Sequence, residues 1–255
     1  AACRRPEALR AEEVRRRQEI VMIDLHSHIL PQMDDGSRST EESLQMLTAL
    51  AAQGVTDVAA TPHFYASENG PDRFLARRAR SWQQLRPHLT ASLPRVHLGA
   101  EVLFFEGIAA FDGLPRLCLS GADTLLLEMP FRPWSQRMLD ELLELADRPD
   151  VTVLLAHMER YLPYVAEPDW RRMARSGLYI QSNADFFCGF STRRKALRLL
   201  SEGRIHVLGT DCHNMERRAP RMDEAVRVIA RALGDDTVRR LEEQARRLLE
   251  RGGAA

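Results

Sequence analysis

Seven short apolar runs recur from Val21 onward, and each is followed by a stretch of helical periodicity. They are VMIDLHS (21–27), VTDVAATPH (55–63), RVHLGAEVLFF (95–105), DTLLLEMP (123–130), VTVLLAH (151–157), LYIQSN (178–183) and IHVLGTD (205–211). Compact runs that stay apolar on both faces belong to parallel strands covered by helices. The intervening patterns predict helices near 40–53, 72–87, 134–147, 168–176, 192–202 and 219–233, with a last one near 236–250. Ser39 and Glu42 have the spacing of a capping box at the first of them. Seven strand–helix units predict an α/β fold, a closed or nearly closed parallel barrel of the TIM type, with an open doubly wound sheet as the alternative. No GxGxxG or GxxxxGK[ST] follows any strand, so the dinucleotide and P-loop readings of such a fold are absent.

Composition narrows the setting. Apolar residues make up 44% and charged residues 28%, and 36 basic residues balance 36 acidic ones. No net field draws the chain toward nucleic acid, and no apolar run approaches the length of a membrane span. Residues 1–21 read as a charged, helix-prone extension without the apolar segment of a secretion signal, and 22–255 as one domain. Cys3, Cys118, Cys188 and Cys212 are scattered, with no CxxC pair. A reduced, cytoplasmic protein is the expectation.

The polar residues that interrupt the strands fall at their C-terminal ends, where a parallel barrel builds its active sites. The first strand ends in His26-Ser27-His28, and residues i and i+2 share a face, so both imidazoles can reach one metal ion. The second ends in His63, the third carries Glu101, the fourth Glu128 and the fifth His157. The seventh ends in Asp211-Cys212-His213. A single histidine ending a strand is more often a satisfied side chain than a ligand. Five of eight histidines at strand ends with carboxylates beside them shift that balance to a metal site. Imidazoles and carboxylates without thiolates suit Mn²⁺, Fe²⁺ or Zn²⁺. His88, His97 and His206 sit elsewhere and read as ordinary.

The segments IDLHSHILPQMDDGS (23–37), ATPHF (60–64), GAEVLF (99–104), LLLEMP (125–130), AHMERY (156–161) and GTDCHN (209–214) resemble, in order, those of PHP-domain metallohydrolases. Within that superfamily the chain is most similar to the bacterial manganese-dependent protein-tyrosine phosphatases of capsule and exopolysaccharide loci. The resemblance implies a distorted seven-stranded α/β barrel (the PHP fold) holding three Mn²⁺ ions, with Fe or Zn as substitutes. It implies one metal on His26, His28, Glu101 and Asp211, a second on Glu101, Glu128 and His157, and a third on Asp35, His63 and His213. Asp35 fits the spacing better than Asp34.

Arg160 and Arg218 match positions that contact phosphate, with Arg217 a one-residue alternative to the latter. The activity implied is hydrolysis of protein phosphotyrosine by a metal-activated water, the substrate being the tail of a bacterial tyrosine kinase. Nucleic-acid binding and membrane insertion are not implied, and assembly into an oligomer is compatible with the sequence. A small-molecule phosphatase of the histidinol-phosphate type is the runner-up. A thiol mechanism is disfavoured although Cys-x5-Arg occurs at Cys188…Arg194 and Cys212…Arg218, since the Cys212 copy lacks a glycine to wrap phosphate. The aromatic stretch 183–190 either lines the substrate entrance or packs the barrel rim. Met158-Glu159 and Pro130-Phe131-Arg132-Pro133-Trp134 are placed to shape the mouth.

Overall fold

The computed structural model describes residues 21–251; most of the proposed extension 1–21 lies outside them. Strand β1 (Met22–Ser27) leads to helix α1 (Thr40–Ala52), then β2 (Val55–Ala60), β3 (His63–Phe64) and α2 (Pro71–Leu85). Next come β4 (Arg95–Leu98), β5 (Glu101–Leu103), β6 (Thr124–Glu128), α3 (Gln136–Ala146), β7 (Thr152–Leu155) and α4 (Glu167–Met173). The chain continues through β8 (Tyr179–Asn183), α5 (Ala184–Cys188), α6 (Arg193–Ser201), β9 (Val207–Gly209), α7 (Met222–Leu233) and α8 (Asp235–Glu250).

The nine ladder segments are the seven expected strands, two of them interrupted. β2 and β3 flank Thr61-Pro62, where proline removes a donor. β4 and β5 flank Gly99, on which a Cβ would come within 2.5 Å of Leu119 Cδ2. The pairing carries across both breaks, Gly99 N donating to Ala60 O (2.9 Å) and Glu101 N to Pro62 O (3.1 Å). Every pairing is parallel, in the orders β1-β2-β4 and β3-β5-β6-β7-β8-β9. The last strand then meets the first: Asp211 N donates to His26 O (2.7 Å) and His28 N to Cys212 O (2.9 Å). The sheet curls into a barrel.

Alternation along the strands sorts the core into two layers. Ile23, Leu25, Ala59, Leu126, Leu154 and Val207 pack inside the barrel, and Ala245, Leu248 and Leu249 of α8 close it from below. Thr124 Oγ1 donates to Leu248 O (2.6 Å), fixing that plug. Met22, Val58, Val102, Leu125, Val153 and Ile180 belong instead to the outer layer, against helix residues such as Met46, Leu50 and Leu139. The inner apolar layer fills the lower half of the barrel, so polar side chains have room only at the top.

Local signals were partly overridden. Ser39 caps α1 by accepting from Glu42 N (3.2 Å), but the Glu42 carboxylate accepts from Arg38 N (2.7 Å), so half the expected box forms. Helix α4 stops at Met173, short of the expected 176. The aromatic stretch contains the unexpected short helix α5, with Phe186 and Phe187 buried in the outer core and Phe190 99% exposed. Of its two alternatives, rim packing describes Phe186 and Phe187.

Candidate metal centre

Strict alternation would not bring all the strand-end side chains inward. Ile23 and Leu25 face the barrel core, which would send His26 outward. Between Asp24 and Ser27, strand β1 spends three steps where β2 spends two, from Val58 to Ala60. This bulge resets the parity, as bulges do beside active sites. His26 Nε2 and His28 Nε2 then lie 3.3 Å apart, both 3.3 Å from Glu101 Oε2 and 3.5 Å from Asp211 Oδ1. On and just after β7, Leu154 and Ala156 belong to the inner layer, and His157 joins them because its backbone turns to φ 28°. Asp211 sits at φ 52°. Two of the three non-glycine residues with positive φ among the described residues are thus in this cluster, a strain of about 1–3 kcal/mol each that the surrounding contacts must offset.

The three ligand sets that the resemblance implies lie at the following distances. The first is His26, His28, Glu101 Oε2 and Asp211 Oδ1, at the distances above. In the second, His157 Nε2 lies 2.9 Å from Glu101 Oε1 and 3.3 Å from Glu128 Oε1. In the third, Asp35 Oδ1 lies 3.4 Å from both His63 Nε2 and His213 Nε2. Glu101 stands between them, one oxygen toward His26 and His28, the other toward His157, with His63 Nδ1 2.9 Å from Oε2. Ligand atoms of His28, Asp35, His63 and His213, of His26, His28 and Asp211, and of His63, Glu101 and Glu128 lie close enough together to share an ion. The nine side chains named from the sequence are all here.

The second ring nitrogens of His26, His28 and His213 are already committed. Asp34 Oδ2 accepts from His28 Nδ1 (2.7 Å) and from His63 N (2.9 Å), while its Oδ1 accepts from Gly36 N (2.9 Å). Asp34 therefore orients His28, and Asp35, 67% exposed, is left to face His63 and His213. A Cβ on Gly36 would fall 2.3 Å from His28 O, so this turn can approach His28 only as glycine. Gln181 Oε1 accepts from His26 Nδ1 (3.3 Å) and His157 N (2.6 Å), and Gln181 Nε2 donates to Asn183 Oδ1 (2.8 Å). His213 Nδ1 donates to Asp211 O (2.9 Å). Fixing Nδ1 as the donor leaves Nε2 unprotonated and aimed at the cluster, the pattern of a metal-ligating histidine.

The residues fit metal ions on a direct observation. Among the described residues, Glu101 Oε2 and His213 Nε2, both atoms of these donor sets, are buried without a hydrogen-bond partner, as are the second ring nitrogens of His63 and His157. Buried unpaired polar atoms are costly and need an occupant. Electrostatics agree. Burial opposes charge on Glu101, yet the imidazoles around it hold its carboxyl well below the usual range. Against the same opposition from burial, hydrogen bonds to Glu101 and Glu128 lift His157 to about 9. Burial, with the neighbouring His28 and Arg218 charges, lowers His213 to about 4, so its imidazole is neutral and ready to ligate at pH 7. Protons and metal ions compete for such a set.

Arg160 and Arg218 meet at the outer oxygen of Asp211. Arg160 Nη2 donates to Oδ2 at 2.8 Å and Asn183 Nδ2 at 2.9 Å, and Arg218 Nη2 pairs with it as an ion at 2.6 Å. Arg218 is carried there by a loop in which Asn214 Oδ1 accepts from the backbone N–H groups of residues 216, 217 and 218. Arg217 is exposed on that loop and Arg218 half-buried. Cavities of 660 and 680 Å³ elsewhere on the surface contain no histidine. A 290 Å³ cavity borders Asp35, His63, Tyr65 and Arg77 at the edge of the cluster.

With this geometry in view, the similarity to known proteins is decisive. Residues 22–250 match the family described as capsular polysaccharide synthesis, CpsB/CapC. The chain belongs to the CpsB/CapC family. It is 30% identical over 249 residues to the tyrosine-protein phosphatase YwqE of Bacillus subtilis, covering 89% of this chain and 91% of that protein. It is 28% identical over 229 residues to the tyrosine-protein phosphatase CpsB of Streptococcus pneumoniae, covering 84% and 91%. A crystal structure from a study of YwqE and CpsB, described there as unique metal-dependent tyrosine phosphatases, superposes with a TM-score of 0.76 at 24% identity, covering 90% and 95%. An amidohydrolase from Bifidobacterium longum shares the fold at a TM-score of 0.54 and 16% identity, covering 90% of this chain and 98% of that one.

In this CpsB/CapC chain the thiols lie outside the cluster's chemistry. Burial pushes the Cys188 thiol up to about 12 and the Cys212 thiol higher still, so neither is a thiolate at neutral pH. His97 Nε2 pairs with Asp57 (2.9 Å) and His206 Nδ1 accepts from Ile180 N (2.9 Å), both ordinary structural roles. Sequence reasoning missed Gln181 and the part played by Asp34. Gln181 and Asn183 end a strand at i and i+2, the same signal that exposed His26 and His28.

Proposed function

We propose that this CpsB/CapC-family chain is a metal-dependent protein-tyrosine phosphatase of capsular polysaccharide synthesis, with Mn²⁺ as its metal. The nine residues of the three donor sets would hold the ions, Glu101 serving two of them. Bound there, the metals would supply a water of lowered pKa and neutralise charge on the phosphate. Glu101 is the observation that carries the reading, because a buried carboxylate facing separate imidazole sets with its two oxygens is built to bridge.

The protein's own groups do the rest. Asp34, Gln181 and the Asp211 carbonyl hold His28, His26 and His213 in the ligating tautomer. Arg160 and Arg218 each spend one nitrogen on Asp211 and keep further N–H groups for phosphoryl oxygens. A tyrosyl oxygen leaves as a phenolate of pKa about 10, so protonating it is less demanding than protonating an alkoxide. Among the described residues no helix is long and apolar enough to cross a membrane. The substrate we favour is a phosphotyrosine-bearing tail of a bacterial tyrosine kinase of polysaccharide synthesis.

The test is a comparison of kcat/KM for a phosphotyrosyl peptide and for histidinol phosphate, using Mn²⁺-loaded protein. The peptide is expected to win by about 100-fold or more, the scale on which a site tuned to one leaving group discriminates. The reverse order would replace this reading with the small-molecule one.

A further inference from the structure

Phe131 is a large apolar side chain left 45% exposed beside the metal centre. It follows β6, the strand that delivers Glu128, by three residues. Its ring lies 5.6 Å from that of His157 and stacks on Tyr161 with centroids 5.9 Å apart and planes at 22°. The guanidinium carbon of Arg160 sits 5.4 Å from its centroid. That guanidinium also reaches Asp211. One aromatic ring thus touches a proposed metal ligand and the phosphate-binding arginine, and still presents surface to solvent.

The loop holding it is stiff. Pro130 and Pro133 bracket it, Arg132 N donates to Pro130 O (2.9 Å), and Trp134 Nε1 donates to the same carbonyl (3.1 Å). Trp134 in turn packs at 5.1 Å on Tyr161, which is fully buried and accepts from Met129 N at 2.9 Å. Exposing a large aromatic gains nothing for the fold, whereas a pre-positioned one offers a partner ring a stacking face at little entropic cost.

We infer that Phe131 is the platform for the phenyl ring of the substrate and so determines preference for aryl over alkyl phosphates; this rests on the phosphotyrosine reading above. The phosphate lies against Arg160 and the metal centre, and the ring attached to it extends outward over the exposed part of Phe131. Alkyl phosphates fill the phosphate position and gain nothing from that exposed ring.

Binding of phenylphosphonate and methylphosphonate to Mn²⁺-loaded protein, measured by calorimetry, isolates the ring's contribution. Phe131→Ala is expected to weaken phenylphosphonate about 5- to 10-fold and leave methylphosphonate within about 2-fold, the size of one aromatic contact. Phe131→Tyr is expected to restore the preference. Equal weakening of both ligands would overturn the inference, making Phe131 a prop for Arg160, and so would an unchanged ratio. Phosphotyrosyl-peptide turnover by the unmutated protein is scored in parallel. Its absence would sink the phosphatase reading itself, whereas its presence with an unchanged ratio would sink only the platform.

Discussion

Glu101→Gln is expected to abolish turnover, by about 1,000-fold or more, while the chain still folds. The substitution keeps the shape of the side chain and removes its charge. Glu101 is 1% exposed, and its oxygens lie 2.9–3.3 Å from nitrogens of His26, His28, His63 and His157. Among the described residues no other carboxylate stands close to so many of these imidazoles: Asp211 reaches His26, His28 and His213, Asp35 reaches His63 and His213, and Glu128 reaches His157. An amide offers one neutral acceptor where two anionic ones stood, so two metal positions weaken together. Metal content by plasma mass spectrometry and kcat on p-nitrophenyl phosphate are read on the same sample, with circular dichroism as the fold control. Full metal content with wild-type turnover would remove Glu101 from the centre.

The second large effect is expected from the arginines. Arg160→Met and Arg218→Met should each lower kcat/KM by about 100-fold at unchanged metal content. Both approach Asp211 at Oδ2, whereas the imidazoles of His26 and His28 approach it at Oδ1, so either arginine can be removed without touching the oxygen proposed to face the metal. Asn183 continues to hold Oδ2 after either change. Because the two guanidiniums share one carboxylate oxygen, the double variant is expected to lose less than the product of the single losses. Arg160→Lys should not recover the loss, since a single ammonium cannot contact both Asp211 and a phosphoryl oxygen in a planar fork. Arg217→Met, on the exposed part of the same loop, is the control expected to leave kcat/KM within about 2-fold. Loss of metal alongside activity in the Arg160 variant would recast that residue as support for Asp211.

Much of this was legible in the chain because its two periodicities are strong. Seven apolar runs separated by helical stretches gave the barrel, and strand ends carrying His26, His28, His63, His157 and His213 marked its mouth. Steps that depend on backbone detail were not legible. Nothing in Asp24-Leu25-His26-Ser27 announces the bulge that turns His26 inward, since the extra residue is defined only against β2. His157 and Asp211 adopt positive φ without being glycine, a conformation their neighbours impose and composition does not signal. The division of labour between Asp34 and Asp35 rests on a backbone N–H of His63, 29 residues away, which a local reading cannot supply. Glu42 fits a capping box by spacing, yet a neighbouring N–H competed successfully for its carboxylate. The aromatic stretch divides between core and solvent according to helix α5, too short to leave a periodic trace.

The most direct measurement strips the protein with a chelator and follows dephosphorylation of a phosphotyrosyl peptide as Mn²⁺ is returned, with bound metal counted at each step. Activity should vanish on stripping and return in proportion to bound Mn²⁺, reaching its plateau at about three ions per chain. Hydrolysis that persists in the stripped protein, or full metal loading without any release of phosphate, would contradict a metal-dependent tyrosine phosphatase built on this cluster.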